Sequence, residues 1–170
     1  NVGFIGAGGR ARSAHYPAVS RMEEVSIQAV SELDESLAGE VMQRYDIPRY
    51  HTDYKEMLEE DLDAVYVVMG ETFVTPVALD ALNSGRHVFI EKPPGANSEE
   101  TQQLLDAAVA NNVHCMVGFQ RRFAAVTREA MRRVRKKGDP TLAIGEFHKF
   151  MHSGPQPLTS TLWNDVCHVI

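Results

Sequence analysis

The chain has 170 residues, enough for one domain and part of another or for one large domain, and its 44% apolar and 24% charged residues are typical of an ordinary globular protein. Its net charge of −6 gives no reason to expect binding to nucleic acid or an anionic membrane, and no apolar run has the roughly 18 residues that a membrane span needs. Two cysteines without close spacing, Cys115 and Cys167, argue against a disulfide scaffold or a zinc site, so we expect a cytoplasmic protein without a metal.

Apolar β-rich runs alternate with helical patterns from the first residue onward. The runs predict buried strands at Val2–Gly6, Val25–Ser31, Ala64–Met69, His87–Glu91 and His114–Gly118. The clearest helix is predicted over Ser98–Asn111, where an apolar stripe is formed by Leu104, Leu105, Ala108 and Val109. Because strands and helices alternate, we predict a doubly wound parallel sheet of the α/β class.

The pattern changes after a basic helical stretch at Arg121–Lys137. Its last turns, Arg132–Lys137, hold cations that suit a helix C-terminus, so we interpret them as a solvated helix end and not as a nucleic-acid site. A Gly-Asp-Pro break follows, and Thr141–Met151 then alternates like a strand of an antiparallel sheet. We therefore predict one domain over residues 1–120 and the incomplete start of a second, α+β domain over residues 121–170, in a piece of a longer protein.

A glycine-rich loop, Gly-Ala-Gly-Gly-Arg-Ala, follows the first predicted strand at once and opens a helix. Gly6 makes the tight turn, and Gly8 lets a pyrophosphate approach the backbone because it has no side chain. The small Ala11 lets the helix pack closely on the strand, and the free N–H groups at the helix start, at Gly9 and Arg10, would bind the anion. The loop therefore predicts a Rossmann domain that binds a dinucleotide.

Glu32 closes the second predicted strand, 21 residues beyond Ala11, where an acidic side chain binds the ribose hydroxyls of a dinucleotide. An acid at this position favours NAD, because it repels the 2′-phosphate of NADP. Arg10 and Arg12 lie beside the loop and could offset that repulsion, so NADP stays open. A solvated charge at the end of a strand is the alternative interpretation of Glu32.

The segment Glu91-Lys92-Pro93 stands at the carboxyl end of the predicted strand His87–Glu91. Doubly wound sheets bind their ligands at this edge. A lysine there can donate a hydrogen bond to a hydroxyl or carry a proton. An isolated Lys-Pro pair is equally compatible with a lysine in a surface turn.

Five stretches of the chain stand in the order and spacing of a known family: Gly3–Ala11, Ala29–Glu32, Asp63–Val68, Ala81–Pro93 and Gly118–Phe123. With them the chain resembles the Gfo/Idh/MocA family, the relatives of glucose–fructose oxidoreductase and inositol dehydrogenase. The resemblance implies an NAD(P)-dependent enzyme that transfers a hydride between nicotinamide and a sugar, inositol or related polyol. It also implies a second domain whose open antiparallel sheet forms a homo-oligomer and whose residues recognise the substrate.

The resemblance places the Glu-Lys-Pro segment at the cofactor. Lys92 would lie beside the nicotinamide and the reacting hydroxyl, Glu91 and Pro93 would contact the cofactor, and the Lys92–Pro93 peptide bond would be cis. In an earlier loop the family often carries Thr-Pro-Asn. Here Met69 and Gly70 stand at the first two of these positions, and we expect backbone contacts with the cofactor to survive the change.

His168 matches the histidine of a catalytic Asp-x-x-x-His in the family, the general base that takes up the hydroxyl proton. Asn164 stands at the aspartate position, on the same helix face as His168, and Asp165 follows it. Asn164 could orient the histidine without charge, Asp165 could replace it after a small rotation, or the site could be inactive. Val74, at a position where the family often has a histidine, also fits the last alternative, a dinucleotide-binding regulator or sensor without catalysis.

Overall fold

The structure is a computed structural model that describes residues 1–142, 144 and 146. The chain divides into two compact units, Asn1–Val117 and Gly118–Ile170. Three of the predicted catalytic residues lie outside the described residues: Asn164, Asp165 and His168. The predicted α+β domain over residues 121–170 stays a prediction.

A sheet of parallel strands forms the first unit. Its strands are β1 Val2–Ile5, β2 Ile27–Ser31, β3 Arg49–His51, β4 Ala64–Val67, β5 His87–Ile90 and β6 Cys115–Val117. They pair in the order β3-β2-β1-β4-β5-β6, which is the order of the doubly wound Rossmann fold, so the predicted fold class is confirmed. Because the order reverses between β1 and β4, the loops that follow these strands open a crevice at the carboxyl edge of the sheet.

The apolar runs predict every strand of this sheet except β3. Strand β3 lies at the edge of the sheet beside β2, with Arg49 exposed and with Tyr50 and His51 half-buried. An edge strand is not enclosed as a central strand is, so it does not require a continuous apolar run. That is why a search for apolar runs passes over it.

Helices cover the sheet: a π-helical turn over Ala11–His15, α1 Tyr16–Val19, α2 Glu35–Tyr45, α3 Tyr54–Leu58, α4 Glu71–Asn83 and α5 Ser98–Ala110. Asp34 caps α2 and Asn97 caps α5, each through a side-chain oxygen that accepts backbone N–H groups of the first turn. Gly85, with a φ of 80°, follows α4 and turns the chain into β5. The caps of α2 and α5 fix where these helices begin, and so fix the loops that follow β2 and β5 at the carboxyl edge.

Two apolar clusters form the core of the first unit. Phe4 belongs to one and Ile5 to the other, because successive side chains of a strand point to opposite faces of the sheet. Each cluster joins strand residues to the helices that cover that face. The sheet is therefore buried on both sides, as a parallel sheet requires.

Helix α5 buries a narrower stripe than the sequence predicts. Leu104 and Ala108 are buried, whereas Leu105 is 55% exposed and Val109 is 72% exposed. Consecutive residues of a helix point about 100° apart, so a helix that contacts the sheet along one line buries positions three or four apart. The prediction that Leu105 and Val109 share the buried stripe is wrong.

The second unit begins with a 3₁₀ turn over Gln120–Phe123, followed by α6, Ala125–Arg135. The single helix predicted over Arg121–Lys137 is therefore wrong in its first part, because Ala124 has a ψ of 136° and interrupts it. Of the predicted strand Thr141–Met151, residues 141, 142, 144 and 146 are described, and they are exposed and lie in no strand. Among the described helices, none combines the length and the apolar character that crossing a membrane requires.

Candidate functional site

The glycine loop leaves β1 at the carboxyl edge of the sheet. Gly6 has a φ of 104°, its N–H donates to the carbonyl oxygen of Ser31 at 2.8 Å, and a Cβ atom added to it would lie 2.3 Å from the carbonyl oxygen of Val68. This position requires glycine, because the backbone that follows β4 passes directly against it. Cβ atoms added at Gly8 and Gly9 would meet no atom within 4 Å, so these two residues leave open space beside the backbone.

The helical turn after the loop packs tightly on the sheet. Ala11 is fully buried, and it shares an apolar cluster with Phe4 and Tyr16. The Tyr16 hydroxyl donates to the carbonyl oxygen of Gly6 at 3.4 Å, and burial, followed by the nearby negative charge of Glu32, raises the pKa of this hydroxyl. Tyr16 therefore stays protonated and acts as a fixed support beneath the loop.

The carboxylate of Glu32 is hydrogen-bonded to the glycine loop. Its Oε2 accepts the backbone N–H of Ala7 at 2.7 Å, and its Oε1 accepts the N–H groups of Leu33 at 2.8 Å and Asp34 at 3.2 Å. A carboxylate can accept about four hydrogen bonds, so one acceptor position is left for a ligand. Glu32 thus joins β2 to the loop and still offers an oxygen to a hydroxyl group.

A cleft of about 880 Å³ opens beside Glu32 at the carboxyl ends of β1, β2 and β4. Its wall includes Gly6, Gly8, Glu32, Leu33, Met69 and Phe73. Leu33 is 84% exposed and Phe73 is 64% exposed, so two large apolar side chains stand open at the cleft in the part of the chain that the structure describes. An apolar cleft with a carboxylate at its edge suits a flat base that carries a hydroxylated sugar.

A second carboxylate, Glu91, connects the loop to the end of β5. Its Oε1 lies 2.9 Å from Nε of Arg10 and 2.7 Å from Nε2 of His15, and its Oε2 accepts the backbone N–H of Lys92 at 3.2 Å. Only 12% of the Glu91 side chain is exposed. Burial alone would raise the pKa of this carboxyl, but the hydrogen bonds from His15 and Arg10 outweigh it and hold the pKa at about 2.

We expect Glu91 to contribute stability that depends on pH. Because its pKa is lowered on folding from 4.5 to about 2, the contribution is present above pH 4.5 and is lost as the pH falls towards 2. Glu91→Gln should therefore lower the free energy of unfolding by about 2–3 kcal/mol at neutral pH. Urea unfolding of the full-length wild-type and variant proteins, in steps from neutral to acidic pH, checks this. A difference between the two proteins that stays constant with pH would contradict the assignment.

Lys92 lies two residues beyond the end of β5 and is half-buried. Glu91 accepts its backbone N–H on one side, and Pro93 is buried on the other. The Lys92–Pro93 peptide bond is cis, as the resemblance implies. The backbone that carries the Lys92 side chain is thus held by contacts on both sides.

The structure brings most of the predicted cofactor-binding residues to one edge of the sheet. The cleft is lined in part by Gly6, Gly8, Glu32 and Met69. Arg10 and Glu91 meet in an ion pair, and Gly70 is the exposed residue before the first turn of α4. Val74 lies elsewhere: it is 2% exposed and belongs to the apolar core.

Three residues of the site are not predicted from the sequence: His15, Leu33 and Phe73. Leu33 carries a signal, since it is a large apolar residue directly after the predicted site residue Glu32, and Phe73 stands three residues after Gly70. His15 carries no such signal, because its partner Glu91 is 76 residues away along the chain. Only the packing of the first helical turn against the end of β5 brings the two together.

The basic run of α6 is exposed and partly neutralised by its own helix. Arg132 and Arg133 each donate to Glu129 at 2.7 Å, and these hydrogen bonds lower the pKa of the Glu129 carboxyl. Within the part of the chain that the structure describes, no group of three or more His, Cys, Asp or Glu residues is arranged to hold a metal ion.

Comparison with known proteins finds relatives that are named as an oxidoreductase, YceM, and as a glycosidase. The chain is 29% identical over 169 residues to YceM of Salmonella typhimurium. The aligned residues cover 99% of this chain and 53% of YceM. It is 31% identical over 126 residues to the alpha-N-acetylgalactosaminidase of Shewanella oneidensis. This alignment covers 68% of this chain and 27% of that enzyme. The chain thus spans about half the length of YceM and less of the other relative.

A solved structure of similar fold is scyllo-inositol dehydrogenase from Lactobacillus casei with bound NAD(H) and scyllo-inositol. It superimposes with a TM-score of 0.75 at 26% identity, over 81% of this chain and 42% of that enzyme. The model of the oxidoreductase family with an NAD-binding Rossmann fold, GFO_IDH_MocA, matches residues 1–119. The chain therefore belongs to the Gfo/Idh/MocA oxidoreductase family and carries its NAD-binding Rossmann fold.

Proposed function

We propose that the full-length protein is an NAD-dependent oxidoreductase that transfers a hydride between nicotinamide and a CH–OH carbon of a sugar, inositol or related polyol. The observation that carries this proposal is that the glycine loop, Glu32 and the Lys92 segment meet at one edge of the sheet. The likeness to an inositol dehydrogenase that binds NAD(H) and scyllo-inositol supports the substrate class.

The residues at this edge fit a dinucleotide. Gly8 and Gly9 leave open space for the pyrophosphate, and the N–H groups at the start of the following helical turn would bind it. Glu32 retains an acceptor position for a ribose hydroxyl, and the apolar side chains Leu33 and Phe73 at the cleft would contact the adenine. The bound nicotinamide supplies the hydride chemistry.

The protein's own part in the reaction is to place the substrate and move its proton. Lys92 would orient the reacting hydroxyl or relay its proton. His168 would act as the general base, because an imidazole exchanges protons near neutral pH. Asn164 or Asp165 would hold His168 in orientation. These roles rest on the resemblance to the family and are part of the proposal.

The ion pairs around the loop favour NAD over NADP. Arg10 is paired with Glu91 at 2.9 Å, and Arg12 is paired with Glu40 at 2.6 Å, so both guanidinium groups are already engaged with carboxylates. Glu32 meanwhile remains at the cleft, where it would repel a 2′-phosphate. These ion pairs weaken the offset that the arginines beside the loop could give to the charge of Glu32.

We expect the full-length protein to bind NAD⁺ at least about tenfold more tightly than NADP⁺, a difference of about 1.4 kcal/mol. Isothermal titration calorimetry with the two nucleotides in parallel measures it. Glu32→Ser should weaken NAD⁺ binding and bring the two affinities close together, whereas Glu99→Gln, an exposed residue in the first turn of α5, should preserve the preference. Binding of neither nucleotide to a folded protein would overturn the proposed function.

A non-catalytic regulator or sensor that binds the dinucleotide is the second candidate. Val74 favours it, because the position where relatives often carry a histidine holds an apolar residue packed in the core. A panel of sugars, inositols and other polyols, assayed with the full-length protein and the preferred nucleotide, separates the two functions. The panel should include an alpha-N-acetylgalactosaminide, since one relative carries that activity in its name. Binding without turnover on the whole panel would favour the regulator.

We also propose that the full-length protein is a homo-oligomer assembled through its second domain. The resemblance to the family supports this assembly. Size-exclusion chromatography with multi-angle light scattering tests it directly. A monomer at micromolar concentration would contradict it.

A further inference from the structure

Glu91 is the one carboxylate in the described site that touches three separate segments. It contacts Arg10 in the glycine loop, His15 at the end of the π-helical turn, and the backbone N–H of Lys92 after β5. The side chains of Glu91 and His15 are 12% and 13% exposed, so water competes little for this contact. Charge-assisted hydrogen bonds in such a protected place are stronger than those on an open surface.

The surrounding rings hold His15 in place. Its imidazole lies 5.1 Å from the Phe89 ring and 6.3 Å from the Tyr66 ring, measured between centroids. Phe89 and Tyr66 pair in register across β5 and β4, and their rings stack at 5.0 Å. The histidine is therefore held against the sheet, with its Nε2 atom 2.7 Å from Oε1 of Glu91.

A second ion pair beside the loop provides a contrast. Arg12 donates to Glu40 at 2.6 Å, but these side chains are 33% and 50% exposed, and Glu40 lies on α2 and not next to Lys92. An exposed pair of this kind contributes little, because water screens it. Arg12 and Glu40 thus offer a matched control for an ion pair that involves the same helical turn.

We propose that Glu91 is a positioning residue that couples the phosphate-binding loop to Lys92. One carboxylate holds Arg10 on the loop side and the Lys92 backbone on the substrate side. Binding of a dinucleotide at the loop then stabilises the position of Lys92, and by linkage the contact with Lys92 strengthens nucleotide binding. Glu91 acts through Arg10, His15 and Lys92 rather than through its own contact with the nucleotide. This inference rests on the proposed binding of a dinucleotide.

A double-variant cycle on the full-length protein tests the coupling. Glu91→Gln should weaken NAD⁺ binding about tenfold in calorimetric titration, and Arg10→Ala should weaken it by a similar factor. The double variant should be no more than about twofold weaker than either single variant, because both remove the same contact. Glu40→Gln should bind NAD⁺ within about twofold of the wild type.

A second readout follows Lys92 itself. Acetylation by limiting acetic anhydride, quantified at Lys92 by mass spectrometry, should be slowed at least about fivefold by saturating NAD⁺ in the wild type and in Glu40→Gln. In Glu91→Gln the same saturation should protect Lys92 less than about twofold. Because the nucleotide site is saturated in every sample, this loss of protection reports the position of Lys92 and not the affinity.

The outcomes separate this inference from the proposed function. If the wild type binds NAD⁺, and Glu91→Gln changes neither the NAD⁺ affinity nor the protection of Lys92, the coupling alone is overturned. The coupling is also overturned if the losses of affinity in Glu91→Gln and Arg10→Ala add up in the double variant. Failure of the wild type to bind any dinucleotide would overturn the proposed function and the coupling with it. Arg10 is half exposed, so Arg10→Ala keeps the test possible if Glu91→Gln does not fold.

Discussion

Gly6→Ala is expected to destabilise the protein severely, by about 3–5 kcal/mol in the free energy of unfolding. The backbone of Gly6 has a φ of 104°, which residues with a side chain rarely adopt, and its added Cβ would lie 2.3 Å from the carbonyl oxygen of Val68. The atom that it meets belongs to the backbone and not to a flexible side chain. Either the loop or the end of β4 must therefore move, and each move opens the crevice between β1 and β4.

Gly8→Ala is the matched variant, because it makes the same chemical change two residues later. Its Cβ would meet no atom within 4 Å, so the free energy of unfolding should stay within about 1 kcal/mol of the wild type. The new methyl group would, however, stand in the open space proposed for the pyrophosphate. We expect NAD⁺ affinity to fall about fiftyfold or more, a loss of at least about 2.3 kcal/mol.

Urea unfolding and calorimetric titration of the full-length variants separate the two effects. Gly6→Ala should mainly lower the free energy of unfolding, and Gly8→Ala should lower only the affinity for NAD⁺. If Gly8→Ala bound NAD⁺ like the wild type, the pyrophosphate would not pass this residue. Equal stability of Gly6→Ala and the wild type would show that the contact with Val68 does not constrain the loop.

The parts of the fold that could be predicted are those where burial dictates composition. The central strands β1, β2, β4 and β5 lie in apolar runs that the sequence marks, because parallel strands between other strands are covered by helices on both faces, and β6, at one edge of the sheet, lies in an apolar run as well. Strand β3, at the opposite edge, has no such run, and an edge strand does not require one. The error on α5 has a related cause: Leu105 and Val109 are apolar, but the sequence does not say which line of the helix meets the sheet.

The site divides in the same way. Gly6, Gly8 and Glu32 could be predicted because the loop and the acid stand at fixed distances from strands that are themselves predictable. The ion pair between Arg10 and Glu91 could not, because the two residues are 81 positions apart and no local pattern links them. From the sequence, Arg10 is a free cation that could accept the phosphate of NADP. Its engagement with Glu91 is a property of the folded chain alone.

Lys92→Ala is expected to lower turnover about a hundredfold or more while NAD⁺ affinity stays within about threefold of the wild type. Lys92 is half-buried at the end of β5, and its backbone is held by Glu91 and by the buried Pro93. A cation fixed at this edge would orient a hydroxyl and stabilise negative charge that develops on its oxygen. That interaction belongs to the reacting substrate and not to nucleotide binding, so kcat should fall more than affinity.

Lys92→Arg refines this test, since it preserves the positive charge but changes the shape of the donor. If charge alone mattered, the arginine variant would recover most of the turnover; we expect it to recover only a small part, because the reacting hydroxyl requires a donor at one position. Steady-state kinetics with the substrate found on the polyol panel, together with calorimetric titration of NAD⁺, measures both quantities. Unchanged turnover in Lys92→Ala would remove the lysine from the reaction and leave Glu91 holding a segment without a catalytic side chain. Loss of turnover with unchanged affinity would instead place the chemistry beside Lys92, where the general base proposed at His168 must then reach the same hydroxyl.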